Sequence, residues 1–403
     1  MLKMAQILKL KITIHMNKLI RPKIYLGFCL TKYTIMKRLI LSATVLLSVA
    51  TFAQKDELKT LKKIYSKDVL SEKDLTAYKS ASDALESLAS EEGDKVYAKF
   101  YKTIYPYVAL NSKGDKATEQ DKLSLFTQEY INQYGKVVDE IIEFEKGTDK
   151  KILTDDLVKA KEVFKKSIAN LALNLNGSSK FKEAAVLFYN LYLFDPKTEG
   201  KSLKNASILA IQASDYKLAQ KVYEDYINSD YLNNGTIYYA VNKVNEQEEE
   251  FNSKEERSKF VSLGSHEKPR DVKNNTTKAE VYKILALVYS QNGENEKAKA
   301  VYSEARKLLP NDEELKKGEF NIYFNAGFSS LADDEKLVNE INNSRADKKK
   351  YDELMKKRKE MFAKSIPDFE KAYAINPSDE NTKTILKMAY EVTGQNEKAK
   401  AIN

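Results

Sequence analysis

The chain has 403 residues, of which 42% are apolar, enough for a packed core and against a disordered chain. Its formal charge of +8 would point to nucleic acid or an anionic surface, but nine basic residues and no acidic ones lie in residues 1–54. Beyond them 58 basic residues stand against 59 acidic ones, a net charge of −1 with the signs alternating along helices, so no electrostatic case for nucleic acid remains.

Residues 1–35 read as an extension that precedes the true start of translation. Met36 opens a segment, residues 36–53, with the parts of a secretory signal peptide: Lys37-Arg38, the apolar run 39–49, and small Thr51 and Ala53 before Gln54. The run is too short for the roughly 20 residues that cross a bilayer, and cleavage is expected after Ala53. Cys29, the single cysteine, follows Phe28 between charged flanks and does not suit a lipid anchor. The rest of the chain then lacks disulfides, thiolate chemistry and cysteine metal sites. Of the two histidines, His15 lies in the extension and His266 stands alone, so a histidine triad or cluster is not expected and only carboxylate or lysine chemistry is left open. His266 reads as an exposed loop residue between Ser265 and Glu267.

Residues 54–162 read as a helical segment of degenerate repeats. Ser71-Glu72-Lys73-Asp74 is a capping-box start, and Tyr97, Phe100, Tyr101 and Ile104 line one helix face that Pro106 should bend or end. Leu157, Phe164, Ile168 and Leu171 continue the apolar pattern into the next segment without a flexible linker.

Residues 163–403 carry a self-similarity of about 34 residues. In residues 279–310 Tyr282, Leu285, Ala286 and Tyr289 follow the i, i+3, i+4, i+7 spacing of one helix face. Gly293 suits the left-handed cap, Ala298, Tyr302 and Ala305 form the packed face of a second helix, and Pro310 closes the unit. Weaker copies run through Ile168, Leu171, Ala172, Leu175, Ala184, Phe188, Leu191 and Pro196, and through Leu203, Ala206, Ala210, Ala219 and Tyr223. Tyr323 and Gly327 follow Tyr289 and Gly293 by 34 residues, and Leu386, Tyr390, Gly394 and Ala399 form the last copy. Two insertions break the period. One, near residues 230–278, holds a strand-like stretch at 236–244 that predicts a β-hairpin; the other, near 328–362, carries a charged helix and reads as an enlarged turn or a lost repeat.

No stretch demands chemistry. Residues 246–250 are acidic but lack the spaced oxygens and turn glycine of a calcium loop, and read as a solvated turn. Lys348, Lys349, Lys350 and residues 356–359 are interleaved with Asp352, Glu353 and Glu360, as on an exposed helix face. No glycine loop for phosphate is present, and the acceptor patterns at Asn176 and Asn275 receive no role.

Residues 279–310 resemble the tetratricopeptide repeat at each signature position, which implies an all-α architecture of stacked helical hairpins, an α-solenoid, with a small β-hairpin insertion. The resemblance implies a concave groove for a partner segment, lined here by Lys204, Ile208 and Ile211 in one repeat and by Glu280, Lys283, Leu287, Ser290 and Gln291 in the complete one. Family members that clamp a C-terminal carboxylate use a lysine and an asparagine. Lys283 matches the lysine, but Leu287 stands where the asparagine belongs, and Leu173 in the earlier repeat, so an amphipathic segment is the better fit. The signal peptide ending Phe52-Ala53-Gln54 and the Lys-, Asn- and Tyr-rich repeats resemble exported tetratricopeptide-repeat proteins of Bacteroidota. That resemblance implies a non-catalytic, periplasmic or extracellular scaffold for a protein partner, with no cofactor, metal, nucleic acid or lipid anchor. The alternatives are a binder of a carbohydrate-type small ligand, needing a closed pocket, and a carboxylate-dependent enzyme, needing two converging acids.

Overall fold

The computed structural model describes residues 52–402 apart from positions 68, 150 and 252. The extension 1–35 with Cys29 and His15, and the apolar run 39–49 of the signal peptide, lie outside the described residues. The chain divides into two compact units between Ser214 and Asp215.

The first unit is built of α1 (Phe52–Tyr65), α2 (Glu72–Leu88), α3 (Glu92–Ser112), α4 (Glu119–Leu125), α5 (Gln128–Gly147), α6 (Thr154–Gly177), α7 (Phe181–Phe194) and α8 (Gly200–Gln212). Helix α2 starts at a capping box between Ser71 and Asp74, as its sequence predicts. Helix α3 runs through Pro106 instead of ending there. A proline inside a helix costs about 3 kcal/mol or more in isolation, and buried Ile104 and Val108 on either side hold the helix in place against it.

Aromatic rings fill this core. Tyr134 stacks on Phe164 at 4.0 Å between centroids, and Tyr107, Phe126 and Phe194 surround Phe164 at 5.3 to 5.6 Å. Two charged groups are built into it with their partners. The buried Glu145 carboxylate on α5 accepts from Leu153 N (2.8 Å), Thr154 N (2.9 Å) and Thr154 Oγ1 (2.6 Å), which caps the start of α6, and from Tyr97 Oη (2.8 Å). Burial and then the carboxylate push the Tyr97 phenol far above its ordinary value. Lys165 on α6, 7% exposed at its side chain, reaches Glu162, Asp195 and Glu199 at 3.0 to 3.2 Å and so ties α6 to the α7–α8 connection.

The second unit begins with α9 (Tyr216–Asn228) and the short α10 (Asp230–Asn234). A three-stranded antiparallel sheet follows, β1 (Thr236–Asn242), β2 (Glu248–Phe251) and β3 (His266–Lys273), with α11 (Lys254–Ser262) between β2 and β3. The strand order β2-β1-β3 enlarges the expected hairpin: β1 pairs with β2 through Tyr238 and Phe251, and with β3 through Ile237 and Val272. Residues 248–250, expected in a solvated turn, belong to β2. Pairing with β1 made them a strand, and the turn is confined to 243–247. The free sheet edges are poor templates for another strand. One is the four-residue acidic β2, and the other carries Pro269 and Lys268, whose φ is +49°.

Helix α12 (Lys278–Gln291) and α13 (Asn295–Leu308) make the hairpin that the sequence marks most completely. Gly293 sits at φ +78°, and the Glu294 N–H closes the turn on the Tyr289 carbonyl at 2.8 Å. Ala298, Tyr302 and Ala305 are buried, at 1% exposure or less. Helix α17 (Glu380–Thr393) and α18 (Asn396–Ala401) repeat the device, with Gly394 at φ +81°, the Gln395 N–H on the Tyr390 carbonyl at 2.7 Å, and Ala399 buried. Between these hairpins lie α14 (Glu313–Ser330), α15 (Asp334–Asn343) and the 28-residue α16 (Lys348–Ile375). Gly327 is inside α14, where the repeat spacing had set it opposite the turn glycine Gly293. It faces the Phe369 ring of α16, so the repeat hairpin here is α14 with the C-terminal half of α16. The enlarged turn between them is α15, folded back on the charged N-terminal half of α16 through a bidentate Arg358–Asp334 pair at 2.7 and 3.1 Å. Lys348, Lys349, Lys350, Lys356, Lys357 and Lys359 are exposed on that half.

Candidate functional site

Helix α12 has one face committed to the core: Ala279, Val281, Leu285, Ala286, Val288 and Tyr289 are all buried. Val281 and Val288 join the set that the spacing identified, while Tyr282, on the same face, is only half-buried. The C-terminal end of the helix is fixed to α9, since Tyr289 Oη donates to Glu224 Oε1 at 2.8 Å and Asn292 Nδ2 donates to Gln220 Oε1 at 2.7 Å and to the Tyr216 carbonyl at 3.0 Å. Burial and the bond to Glu224 together hold the Tyr289 phenol above its ordinary value.

On the other side of this anchored helix lie Glu280, Lys283, Leu287 and Ser290, all half-buried, and Gln291, exposed. Lys283 is not an open ammonium. Its Nζ pairs with Glu280 Oε2 at 2.7 Å, one turn earlier, and its side chain is 12% exposed. Glu280 therefore already occupies the lysine that a carboxylate clamp would use. Leu287, one turn further on, is the apolar member of the row.

The second set of sequence-marked residues lies on α8, in the other unit. Lys204 and Ile208 are half-buried. Ile211 is 8% exposed and offers almost no surface, which corrects its assignment to a groove wall. It sits in the last turn of α8, and the chain turns back there, with the Ser214 N–H on the Ile211 carbonyl at 2.9 Å. Transferring positions by register does not account for that closure.

His266 is the larger correction. It is 5% exposed, at the start of β3, with the Phe251 and Phe260 rings edge-on at 5.2 and 5.4 Å. Its Nε2 lies 2.9 Å from Glu249 Oε2, its Nδ1 lies 2.9 Å from Ser265 Oγ, and Glu249 Oε1 accepts from Asn242 Nδ2 at 2.8 Å. Glu249 on β2 and His266 on β3 meet across β1, where the residue paired with Glu249 is the small, fully buried Ala240. One histidine thus suffices for a serine–histidine–carboxylate chain, and a count of histidines did not exclude it. The geometry gives the chain a structural use: Ser265 Oγ also donates to the Phe260 carbonyl at 2.9 Å, and the imidazole is enclosed by two rings. Neither β2, Glu-Glu-Glu-Phe, nor the mostly polar β3 alternates apolar with polar residues, so no sequence signal marked this bolt.

Among the described residues no group of three or more His, Cys, Asp or Glu side chains is placed to hold a metal ion, and no helix is long and apolar enough to cross a membrane.

The described residues form antiparallel helical hairpins, with a small three-stranded antiparallel sheet inserted in the second unit. No protein-family model matches the chain, and no curated protein matches it. Among solved structures it is similar to a tetratricopeptide repeat protein from Parabacteroides merdae ATCC 43184, at 16% identity over 83% of this chain and 99% of that one, with a TM-score of 0.22. It is also similar to the TPR domain of P58(IPK), at 12% identity over 86% of this chain and 99% of that one, with a TM-score of 0.17. The hairpins themselves define the fold: glycine turns at Gly293 and Gly394, and alanines buried where the second helices pack.

Proposed function

We propose that the protein is a non-catalytic scaffold of the cell envelope that holds a segment of a protein partner against the open face of α12. The observation that carries the reading is the division of α12 into a fully buried face, anchored at one end to α9, and an accessible row with Leu287 at its centre. A rigid helix presenting an apolar residue between polar ones suits an amphipathic segment. Three of the buried ionisable groups are engaged in structure: Glu145 caps α6, Lys165 joins three carboxylates, and His266 bolts two strands. The envelope location rests on the signal-peptide pattern of residues 36–53.

The test is a photo-crosslinking amino acid at position 287, with the captured partner then titrated against Leu287→Asp. Leu287 is half-buried, so the substitution should cost about 1 kcal/mol of stability while weakening partner affinity about tenfold, or about 1.4 kcal/mol. A variant that unfolds places Leu287 in the core, and one that is stable and binds normally removes α12 from the interface.

A further inference from the structure

The two aliphatic side chains most exposed among the described residues are Val244, at 91%, and Leu263, at 79%. They are 19 residues apart in sequence but occupy one end of the inserted sheet: Val244 is in the β1–β2 turn and Leu263 ends α11. The two turns are joined by the Lys243 N–H on the Ser265 carbonyl at 3.0 Å. Phe260, 37% exposed, lies beside them on α11.

Neither turn is loose. Asn242 Oδ1 accepts from the Val244 N–H and Asn245 Oδ1 from the Gln247 N–H, each at 2.9 Å, and the backbones of Asn242 and Gln247 pair at 2.8 Å. Leu263 N–H bonds to the Lys259 carbonyl at 3.0 Å, and Gly264 turns the chain at φ +77°. An aliphatic side chain on a mobile loop can fold back onto the protein, whereas these two are held out in water by turns of fixed geometry. Their exposure is therefore built into the fold.

We propose that this apex docks on the surface of an anionic lipid bilayer, with Val244 and Leu263 entering the headgroup–acyl boundary. Shape and chemistry favour a bilayer over a protein pocket. The apex is formed by two adjacent turns and needs no complementary cavity, and its anchors are aliphatic, whereas protein hot spots are enriched in Trp, Tyr and Arg. Lys243, Lys259 and Lys268 are exposed on the same turns and flanks. Of the acids there, Glu267 is paired with Lys268 at 3.5 Å, the exposed Glu248 that follows the turn is paired with Arg270, and Glu246 remains, so Lys243 and Lys259 are available to lipid phosphates. Two aliphatic anchors with two lysines give weak, reversible attachment. The proposal stands independently of partner binding on α12.

The sequence contains no tryptophan, so one introduced indole reports one site. Val244→Trp and Leu263→Trp are made in the full chain, with Val69→Trp, at a 73% exposed position in the other unit, as the control. Each is mixed with vesicles of phosphatidylglycerol and phosphatidylcholine in equal parts, or of phosphatidylcholine alone. The expected result is a blue shift, with quenching by acyl-brominated lipid, at 244 and 263 but not at 69, and about tenfold weaker titration when Lys243→Gln and Lys259→Gln are added or phosphatidylglycerol is left out. Because the reporter is local, any vesicle affinity of residues 39–49 does not mimic it. An unchanged urea midpoint for each variant confirms that the fold is retained. Emission at 244 and 263 that ignores vesicles overturns the proposal. So does an equal shift at 69, or a shift that grows with protein concentration in the absence of lipid, which would assign the apex to contacts between copies.

Discussion

Gly318 gives a prediction in which two effects of opposite sign compete. It lies inside α14, where exchanging glycine for alanine ordinarily gains about 0.5–1 kcal/mol through helix propensity. Here, however, a Cβ on Gly318 would stand 1.8 Å from Tyr302 Oη and 2.7 Å from Cζ. Tyr302 is 1% exposed on α13 and its ring cannot swing into solvent. Its hydroxyl has no hydrogen-bond partner, so the ring is placed by packing alone. Forcing an added carbon into such a site costs about 1–3 kcal/mol, which outweighs the propensity gain. Gly318→Ala should therefore lower stability by about 1–2 kcal/mol net, read as a shift of the urea midpoint with an unchanged slope. Tyr302→Phe removes the atom in closest conflict and strands no bonded partner, so it should be nearly neutral alone and recover part of the loss in the double variant. If Gly318→Ala stabilises the protein by the propensity increment, α13 and α14 do not approach as closely as described. If the double variant shows no recovery, the hydroxyl is not the point of conflict.

The remaining predictions concern other parts of the fold. Ala298→Leu should cost about 1–3 kcal/mol by overpacking, because Ala298 is fully buried, whereas Ala300→Leu on the exposed side of α13 should leave the midpoint nearly unchanged. Equal effects would mean that the helix phase is wrong. Lys165→Met keeps the buried stem but leaves Asp195 and Glu199 without their cation, and should destabilise by about 2–3 kcal/mol, below the range for fully buried pairs because its partners keep some solvent. That loss should depend on pH. Burial raises the Asp195 carboxyl, but hydrogen bonds from Thr198 and Lys165, with the lysine charge, outweigh it and leave the group below its ordinary value. A carboxyl depressed in the folded state stabilises above its unfolded value of about 3.9 and loses that contribution as pH falls through its folded value. The difference between wild type and Lys165→Met should accordingly narrow in acid from about pH 4 downward, as chemical-denaturation midpoints would show. A constant gap would assign the loss to packing alone.

What the sequence determined by itself was local. The turn glycines Gly293 and Gly394, the packed alanines Ala298 and Ala399, and the capping box at Ser71 are legible because each depends on neighbours within one or two helical turns. The 34-residue spacing extends that legibility to the hairpin, where Leu285, Ala286 and Tyr289 are buried as their spacing predicts, while Tyr282 is half-buried and Val281 and Val288 join the core. The tertiary structure decided whatever depends on partners distant along the chain. Tyr97 meets Glu145 across 48 residues, and Lys165 meets Asp195 across 30. His266 leaves solvent only because Glu249, Phe251 and Phe260 are brought around it by a third strand that no hairpin pattern announces. Ile211 and Pro106 make the same point in opposite directions, one buried where register transfer had set it on an open wall and the other tolerated inside a helix between buried Ile104 and Val108. Periodicity and capping are properties of a segment, whereas burial and charge compensation are properties of the surroundings that a segment acquires only on folding.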